Sequence, residues 1–588
     1  MRRPAVLVAA LVVGAACLTG CVRVPDDGPV VTSKAGSQLD EQPAGQADAV
    51  PPAPGASRQA IVTGFLDAMT AWPVQTNVVK EYLTDDSAEA WNPEAGTIVY
   101  SDSSPPEPED DGAGVSVHLS SGDRLDASGG WRGSLGPREE TLHFKIGVED
   151  GEFRIIDPPN ALIVPASWFQ QRYRQVSVYY FDPTSKILVP EPVFVPVGQQ
   201  LATSLVSALL TGPPRRLRDV ITTYVPHGLD EGLSVPVSDS GVAELSLSGD
   251  APQPSPDSAQ LMLAQFAWTL QQDPQVTAVR LSIGGTGVTL PSGATQYDLA
   301  DAADFDPAGN LAAGELFGVR NGRVVSGTPD LLAPVTGPFG KPGYGPAELA
   351  VAPQGARAAI VTQDRAHVLE GPVLDVNSPT QVTTIVSDGV DLARPTWDYA
   401  GRLWLLDRGP DGARVRVVEG RDDDSPRVRH VRVPGVTGQD ARRLLVSRDG
   451  TRLVAVVRRG DATHLVIARV TLGVNGRVDG AGLSTVIGGI GGASRIVDIA
   501  WTSPSTIAVL TPVRRGSLFE VDTVVADGST LGEDAGSTIV TGRVRGLAGS
   551  PDVDQPSYAV LGRGLTDLVT RVATEIGGGA VTLLDYAG

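Results

Sequence analysis

A β-rich phrase recurs through the second half of the chain every 45–55 residues or so, and this period constrains the fold more than any other feature. In each copy an apolar run ends in a turn of Asp, Gly or Pro, and a second β-type run follows. The copies lie at 348–353, 394–398, 444–450, 498–502 and 546–550, and a divergent copy begins at 316–325. Four-stranded propeller blades have about this length. Residues 316–588 are therefore predicted to form a β-propeller of five or six blades.

A stack of β-sandwiches is the alternative fold for this region, because sandwiches are also built from short strands with frequent turns. The sequence offers it little support. The region contains no cysteine, no long helical pattern and no strong linker between domains.

Residues 58–166 carry a different pattern, in which helices come before strands. Ile61, Phe65 and Met69 share one face at helical spacing, and a short amphipathic segment follows at 78–83. Strand-like runs then occur at 97–100, 115–119, 141–148 and 152–157, with Asp150-Gly151 as the hairpin turn between the last two. This order predicts a cone-like α+β domain similar to nuclear transport factor 2-like domains (NTF2-like).

Residues 167–293 read as a second module that mixes strands and helices. A strand at 176–181 precedes a helix at 199–210, and two short strands at 235–237 and 242–247 flank the turn 239–241. Ser255-Pro256 is typical of a helix start, and the last strand is predicted at 276–283. The order strand, helix, hairpin, helix, strand predicts a compact α/β sandwich.

The N-terminus has the layout of an export signal. Arg2 and Arg3 precede an uncharged apolar run at 4–18, which is too short to span a bilayer as a helix. Leu18-Thr19-Gly20-Cys21 follows and looks like a bacterial lipobox. We expect residues 1–20 to be a signal peptide cleaved between Gly20 and Cys21. An ordinary signal peptide with a chance cysteine is the alternative.

Cysteine usage supports a lipid on Cys21. The chain has two cysteines, and Cys17 would leave with the signal, so the mature protein could form no internal disulfide. A lipidated Cys21 would carry an S-diacylglycerol and an N-acyl chain such as palmitate, and two or more chains anchor stably. Residues 21–57 are rich in Pro, Gly, Ala and Ser and read as a flexible tether, with a span of about 30–35 Å. The predicted location is the extracytoplasmic face of the cell membrane.

No pattern in the sequence predicts catalysis. The six histidines lack metal-ligand spacing, no Gly-x-Ser-x-Gly elbow occurs, and the glycine-rich 488–492 lacks the basic residue of a phosphate loop. The acidic runs 107–111 and 422–424 read as solvated loops, and His227 as a loop residue that could contact a ligand. We therefore predict no catalytic residues, no metal and no cofactor.

Charge limits the partners. The formal net charge of −21 makes nucleic acid an unsuitable ligand. An acidic balance would suit a basic patch on a partner protein, although salt screening leaves such attraction weakly specific.

Several motifs, in their order along the chain, resemble the LpqB family of actinobacterial lipoproteins over essentially the whole sequence. After the lipobox come FQQRY at 169–173, YYFDP at 179–183, LVP at 188–190, FVP at 194–196, LLTGP at 209–213, PHG at 226–228 and LSL at 245–247. The last three resemble a GerMN module. The resemblance implies an extracytoplasmic accessory to the MtrAB two-component system that contacts the sensor domain of the kinase MtrB. It also implies roles in cell division, envelope homeostasis and, in filamentous relatives, development.

Two functions from different classes therefore stand side by side. The first is a non-enzymatic regulator that binds a sensor kinase ectodomain through its modules and propeller. The second is an envelope protein that binds or processes peptidoglycan, since GerMN-like modules recur in sporulation and germination proteins. A solute-binding lipoprotein fits less well, because the chain lacks a two-lobed αβ repeat.

Overall fold

The computed structural model describes residues 48–109, 114–198, 200–232, 234–309, 312–375, 382–420, 426–487, 490, 495–514, 516–532 and 536–588. The predicted signal peptide, Gly20, Cys21 and the tether up to residue 47 lie outside the described residues. So do Asp110, Asp111, the acidic run 422–424 and all of 488–492 except Ile490. None of the helices that are described is long and apolar enough to cross a membrane.

Three helices open the described fold, of which the sequence predicts the first and, through the segment at 78–83, part of the second, but not the third. They are α1 (Arg58–Ala68), α2 (Thr76–Lys80) and α3 (Asp85–Ala90). The Ser57 hydroxyl caps α1 by accepting a hydrogen bond from the Ala60 N–H at 3.2 Å. The face that carries Ile61 and Phe65 is buried, so α1 packs its apolar stripe into the domain core.

Two sheets complete this α+β domain. The strands are β1 (Gly96–Tyr100), β2 (Asp102–Ser103), β3 (Glu107–Pro108), β4 (Gly114–Ser120), β5 (Asp123–Asp126), β6 (Trp131–Ser134), β7 (Thr141–Glu149), β8 (Glu152–Ile156) and β9 (Leu162–Pro165). One sheet has the order β6-β5-β1-β9, and the other has β2-β4-β7-β8 with β3 paired to β4. Asp150 and Gly151 both have positive φ, which is the geometry of the type I′ turn expected there.

A hairpin and a helical layer form the second module. Its elements are α4 (Ala166–Arg172), β10 (Tyr173–Phe181), β11 (Leu188–Pro196), α5 (Leu201–Thr211), β12 (Asp230–Glu231), β13 (Val242–Ser248), α6 (Pro256–Leu270), β14 (Ala278–Ile283), β15 (Thr286–Gly287) and β16 (Gln296–Asp298). Ser255 caps α6, with Pro256 at its first turn, as predicted. Leu263, Phe266 and Leu270 on this helix are buried in the module core.

The sheet of this module corrects two predictions. Residues 235–237 form no strand, since only Val237 makes a single bridge, to Ala243, and β12 is the antiparallel neighbour of β13. Val235 is instead held by its N–H, which donates to the Thr203 hydroxyl of α5. The strand β14 was predicted to close the module, yet it lies inside the sheet, parallel to β13 and antiparallel to β15 and β16.

Six four-stranded sheets make up the rest of the chain. Blade 1 contains β17 (Leu316–Arg320), β18 (Arg323–Thr328) and β19 (Leu331–Pro334); blade 2 contains β20 (Glu348–Val351), β21 (Arg357–Val361), β22 (Val368–Pro372) and β23 (Thr383–Val386); blade 3 contains β24 (Thr396–Trp397), β25 (Leu403–Gly409), β26 (Gly412–Glu419) and β27 (Arg427–Val431). Blade 4 contains β28 (Asp440–Val446), β29 (Arg452–Arg459), β30 (Ala462–Leu472) and β31 (Val478–Ile487); blade 5 contains β32 (Asp498–Ser503), β33 (Thr506–Arg514), β34 (Leu518–Val525) and β35 (Ser537–Thr541); blade 6 contains β36 (Gly546–Ala548), β37 (Tyr558–Val560), β38 (Gly564–Asp567) and β39 (Ala573–Glu575).

The last strand, β40 (Thr582–Tyr586), closes the ring. It pairs with β17 and so supplies the innermost strand of blade 1. The innermost strands β40, β20, β24, β28, β32 and β36 contact one another in turn, and β36 meets β40 again. This closed order establishes a six-bladed β-propeller and excludes the alternative of stacked sandwiches.

Candidate functional site

The propeller presents two ends that differ in what covers them. One end carries the turns near residues 354, 400, 449, 504 and 553, which follow the innermost strands, and the loops near 475 and 528; we call it the covered face. The other end carries the turns near residues 321, 364, 410, 460, 516 and 562 and the loops that lead into each innermost strand; we call it the open face. In the described part of the chain, the hydrogen bonds and ion pairs between the two N-terminal modules and the blades all lie on the covered face.

A buried carboxylate fixes the second module to blade 4. Glu191 of β11 accepts from both terminal nitrogens of Arg469 at 2.7 Å and from Nη2 of Arg452 at 2.8 Å. Arg452 also donates to the Pro190 carbonyl and lies 3.4 Å from the Asp449 carboxylate. Its side chain is 0% exposed and that of Glu191 is 7% exposed, so water cannot replace these partners.

Opposing influences act on the pKa of Arg452 at this contact. Burial, and then the neighbouring Arg469, lower the pKa of the Arg452 guanidinium, while Glu191, Asp449 and Asp527 act in the opposite direction. The carboxylates therefore oppose the loss of charge that burial favours at Arg452. We call the set of Glu191, Arg452 and Arg469 the Glu191 latch. The latch is a structural element, because its hydrogen bonds end on the protein itself.

The first module reaches the same face beside blade 5. Leu531 of blade 5 belongs to the hydrophobic core that holds Trp131 of the first module. Beside it, Gln175 of β10 in the second module donates to the Ser529 hydroxyl at 2.8 Å. A cavity of about 170 Å³ remains where the three parts meet, lined by Trp131, Arg132, Arg216, Arg469 and Asp527 among others. This volume is below the range of usual small-molecule sites.

Asp527 at this cavity is a partly buried acid with one carboxylate oxygen that has no hydrogen-bond partner in the described part of the chain. Burial raises the pKa of its carboxyl to about 6, although the backbone N–H and hydroxyl of Ser529 act in the opposite direction. Its Oδ1 accepts from the Ser529 N–H at 2.8 Å, whereas its Oδ2 is buried without a hydrogen-bond partner. Because its pKa is raised, the Asp527 carboxyl favours the folded contact when it is protonated, and this contribution is lost as pH rises from about 4 to 6.

Charged groups meet on the axis of the propeller at its open end. Arg394 precedes β24 and pairs with Asp585 of β40 at 2.8 Å. Burial would lower the pKa of the Arg394 guanidinium, but the carboxylates of Asp585, Asp498 and Glu348 together raise it. Because these acids come from blades 1, 5 and 2, one arginine of blade 3 interacts across the central channel.

The channel charges are internally satisfied. Arg443 donates to Asp498 at 3.1 Å, and Arg365 donates to Glu348 at 2.9 Å. The backbone N–H of Leu547 donates to Asp498. The arrangement ties the six blades together and offers no pair of groups with an acid and a base in position for catalysis.

The sequence-predicted candidates are scattered. His227 is exposed on a loop beside Gly212 in the second module, far along the chain from any other predicted site residue. His143 contacts Glu109 at 2.5 Å, and His367 contacts Asp364 at 3.1 Å. Within the ranges that the structure describes, no three His, Cys, Asp or Glu side chains converge to hold a metal ion.

One further cavity, of about 280 Å³, lies at the rim between blades 3 and 4. It is lined by Arg429, His430, Arg432, Pro434 and Asp479 among others. Arg429 forms an ion pair with Glu419 at 3.1 Å. The cavity is therefore a polar groove between adjacent outer strands.

Three family models match successive parts of the chain. The model for the N-terminal domain of lipoprotein LpqB matches residues 51–170, a sporulation and spore germination model matches 177–289, and the LpqB beta-propeller model matches 322–553. Together these matches follow the order of the three folded parts described above.

Curated relatives match over most of the chain. Lipoprotein LpqB of Streptomyces coelicolor is 27% identical and the match covers 98% of this chain and 96% of the relative. The Thermobifida fusca protein of the same name is 26% identical, with 90% of each chain covered, and that of Streptomyces avermitilis is 28% identical, with 94% and 93% covered.

Solved structures match part of the chain only loosely. TolB from Acinetobacter baumannii is 15% identical with a TM-score of 0.33, covering 47% of this chain and 67% of TolB. A chain of a nidogen/laminin complex is 9% identical with a TM-score of 0.35, covering 47% of this chain and 98% of that chain.

The evidence for the family comes from sequence and architecture together. The family models account for all three folded parts, and the relatives that share them are named as lipoproteins rather than as enzymes. The chain belongs to the LpqB family of envelope lipoproteins.

Proposed function

We propose that this protein is a lipid-anchored, extracytoplasmic regulator that binds and modulates a sensor histidine kinase, MtrB of the MtrAB two-component system. Through that kinase it would affect cell division and envelope homeostasis. The observation that carries the proposal is the open face: the two N-terminal modules occupy one end of the propeller and leave the other available to a partner. Propellers without catalytic groups commonly serve as binding platforms of this kind.

The anchor is the second part of the proposal. A diacylglycerol and an acyl chain on Cys21 would hold the protein at the outer face of the membrane, and residues 21–57 would let the folded part stand off the surface. A membrane-bound kinase and its regulator would then meet at high effective concentration, so that even a modest intrinsic affinity suffices.

Titration tests the partner directly. The full-length protein, purified in detergent, is titrated against the isolated extracytoplasmic domain of MtrB, with an unrelated sensor domain of similar size as control. We expect saturable binding to the first domain only, together with a change in MtrB autophosphorylation when both proteins are reconstituted in one vesicle. Absence of binding and of any change in autophosphorylation would refute the proposal.

The anchor has a test of its own. Replacing Cys21 with Ser removes the sulfur that would take the diacylglycerol, so we predict loss of lipid and either an uncleaved precursor or release from the membrane. Cell fractionation and intact mass of the product measure this. Unchanged membrane retention with an unchanged mature mass would show that Cys21 is not the anchor.

Peptidoglycan binding is the second candidate function. The match of residues 177–289 to a sporulation and germination model favours it, because contact with the wall is plausible in those processes. Pull-down with purified peptidoglycan tests binding, and loss of turbidity of a wall suspension tests cleavage. If neither occurs, this function is eliminated.

A further inference from the structure

The open face of blades 4, 5 and 6 gathers exposed arginines from loops that are far apart in the sequence. We call this set the arginine face: Arg442, Arg458, Arg459, Arg495, Arg514, Arg543, Arg545 and Arg563. All of these side chains are exposed. Their concentration contrasts with the chain as a whole, whose formal net charge is −21.

Hydrogen bonds between neighbouring loops make this set one continuous surface. The N–H of Ile496 donates to the Thr463 hydroxyl at 2.5 Å, which joins the loop of Arg495 to blade 4. The N–H of Gly542 donates to the Ser517 carbonyl at 2.9 Å, which joins the loop of Arg543 to that of Arg514. Arg545 is joined likewise, through Val560, to the turn that carries Arg563.

Most of these guanidinium groups form no ion pair among the residues that the structure describes. Arg442 and Arg458 share the carboxylate of Asp440, with N–O distances of 2.7 Å. The other six make no ion pair with a residue that the structure describes. The remaining acids nearby are few: Asp461 on a turn, and Glu520 and Glu575 on outer strands.

The same face has a different character on blades 2 and 3. There the loop acids Asp388 and Asp391 pair with Arg416 and Arg408 at 2.6 and 2.8 Å, so that charges are neutralised locally. The positive potential is therefore confined to one side of the open face, which gives a partner a defined position.

We propose that the arginine face binds an acidic polypeptide segment of the partner protein. The inference deepens the proposed function and rests on it for the assignment of the partner as a protein. Arginine suits this role because its planar guanidinium donates two parallel hydrogen bonds to a carboxylate. The described chain begins at Asp48, which accepts from Gln75 of the first module, and that module docks on the covered face. The two N-terminal modules lie on the covered face, so they leave the arginine face accessible to a protein ligand.

The test compares two variants of the full-length protein with the same change in charge. In the first, Arg495, Arg514, Arg543 and Arg545 are replaced by Gln. In the control, the exposed Arg138, Arg174, Arg215 and Arg218 of the N-terminal modules are replaced by Gln. Fluorescence anisotropy measures binding of a labelled Asp/Glu-rich peptide and of its Asn/Gln counterpart, and co-sedimentation measures binding to phosphatidylglycerol vesicles. The extracytoplasmic domain of MtrB is titrated against all three proteins.

We expect the acidic peptide and the kinase domain to bind the first variant about tenfold more weakly than wild type at low salt, with the control variant unchanged. Equal weakening by both variants, or binding to vesicles but not to the acidic peptide, would overturn the inference. If the kinase domain binds all three proteins equally, the arginine face is not its site, although the proposed function stands. If the kinase domain binds none while peptide binding depends on the arginine face, the proposed function fails and the inference stands.

Discussion

Arginine side chains are buried and paired on the covered face of the propeller, whereas on the open face several are exposed and form no ion pair with a described residue. On the covered face, Arg452 is 0% exposed and shares the Glu191 carboxylate with Arg469, so its charge is fully engaged inside the protein. On the open face, Arg514 and Arg543 are exposed and pair with no described residue. The charges of the Glu191 contact are thus paired within the protein, whereas these open-face arginines have hydrogen-bond donors that no described residue uses.

The difference separates residues kept for stability from residues available for binding. A buried ion pair is strongly destabilising to break, because the remaining charge has no water to solvate it. An exposed arginine contributes little to folding, since water and salt replace its partners. The comparison predicts that substitutions on the covered face change unfolding and that substitutions on the open face change binding.

The largest effect is expected at Glu191. Replacing it with Gln leaves Arg452 and Arg469 buried beside each other without their shared carboxylate, so we predict a loss of about 3–5 kcal/mol in the free energy of unfolding or of module docking. Chemical denaturation measures the loss in the free energy of unfolding. Limited proteolysis measures the weakened docking of the second module on blade 4.

A matched control lies in the same module. Glu244 pairs with Arg280, but the two side chains are 36% and 46% exposed. Replacing Glu244 with Gln is expected to cost no more than about 1 kcal/mol. Similar losses for both variants would contradict the view that burial makes the Glu191 latch structural.

A smaller effect with a distinct pH signature is expected at Asp527. Its folded-state pKa of about 6 lies above the ordinary value for Asp, so the folded protein takes up the proton first as pH falls. The contribution of this carboxyl to stability should therefore decrease as pH rises from about 4 to 6 and stay reduced above that range. The Asp527→Asn variant, which retains the acceptor for the Ser529 N–H, should be about 1–2 kcal/mol more stable than wild type at pH 7 and equal to it near pH 4.

Thermal unfolding between pH 4 and 8 measures this difference. Asp461→Asn, on an exposed turn of the open face, is the control and should shift stability by less than about 0.5 kcal/mol at every pH. A constant gain for Asp527→Asn across the whole range would mean that titration of this carboxyl is not the cause.

The smallest effect on folding is expected for a single substitution in the arginine face. Arg514→Gln should change the free energy of unfolding by less than about 0.5 kcal/mol, because the side chain is exposed and makes no ion pair in the described structure. Denaturant unfolding of this variant beside Glu191→Gln gives the comparison in one experiment. A loss above about 2 kcal/mol would show that the open face also stabilises the fold.

The repeat pattern predicted the blades because each blade is a local unit. The phrases at 348–353, 394–398 and 498–502 coincide with the innermost strands β20, β24 and β32. The sequence did not predict the strand β11, because Pro190, Pro192 and Pro196 lack the N–H groups that a strand donates within a sheet. It forms because it pairs with β10 alone, in a two-stranded sheet where one edge needs no N–H donors.

The candidate surface was less accessible to sequence reasoning. The overall negative charge suggested a basic patch on the partner, whereas the structure gathers arginines from positions 442 to 563 on one end of three blades. Composition sums charge over the whole chain and contains no information about which loops meet. The signal that could have revealed the cluster is the recurrence of arginine at the same points of successive blades, immediately before the innermost strands and at the turns between second and third strands.

Closure of blade 1 by β40 sets an order on biosynthesis. The partners β17 and β40 are separated by the other five blades, so the ring cannot close until residues 582–586 have emerged and found Leu316–Arg320. Until then β17 is an open edge, which makes pairing with another chain a hazard. Correct assembly of the ring therefore depends on residues 582–586, and loss of that strand would be as damaging as a deletion within a blade.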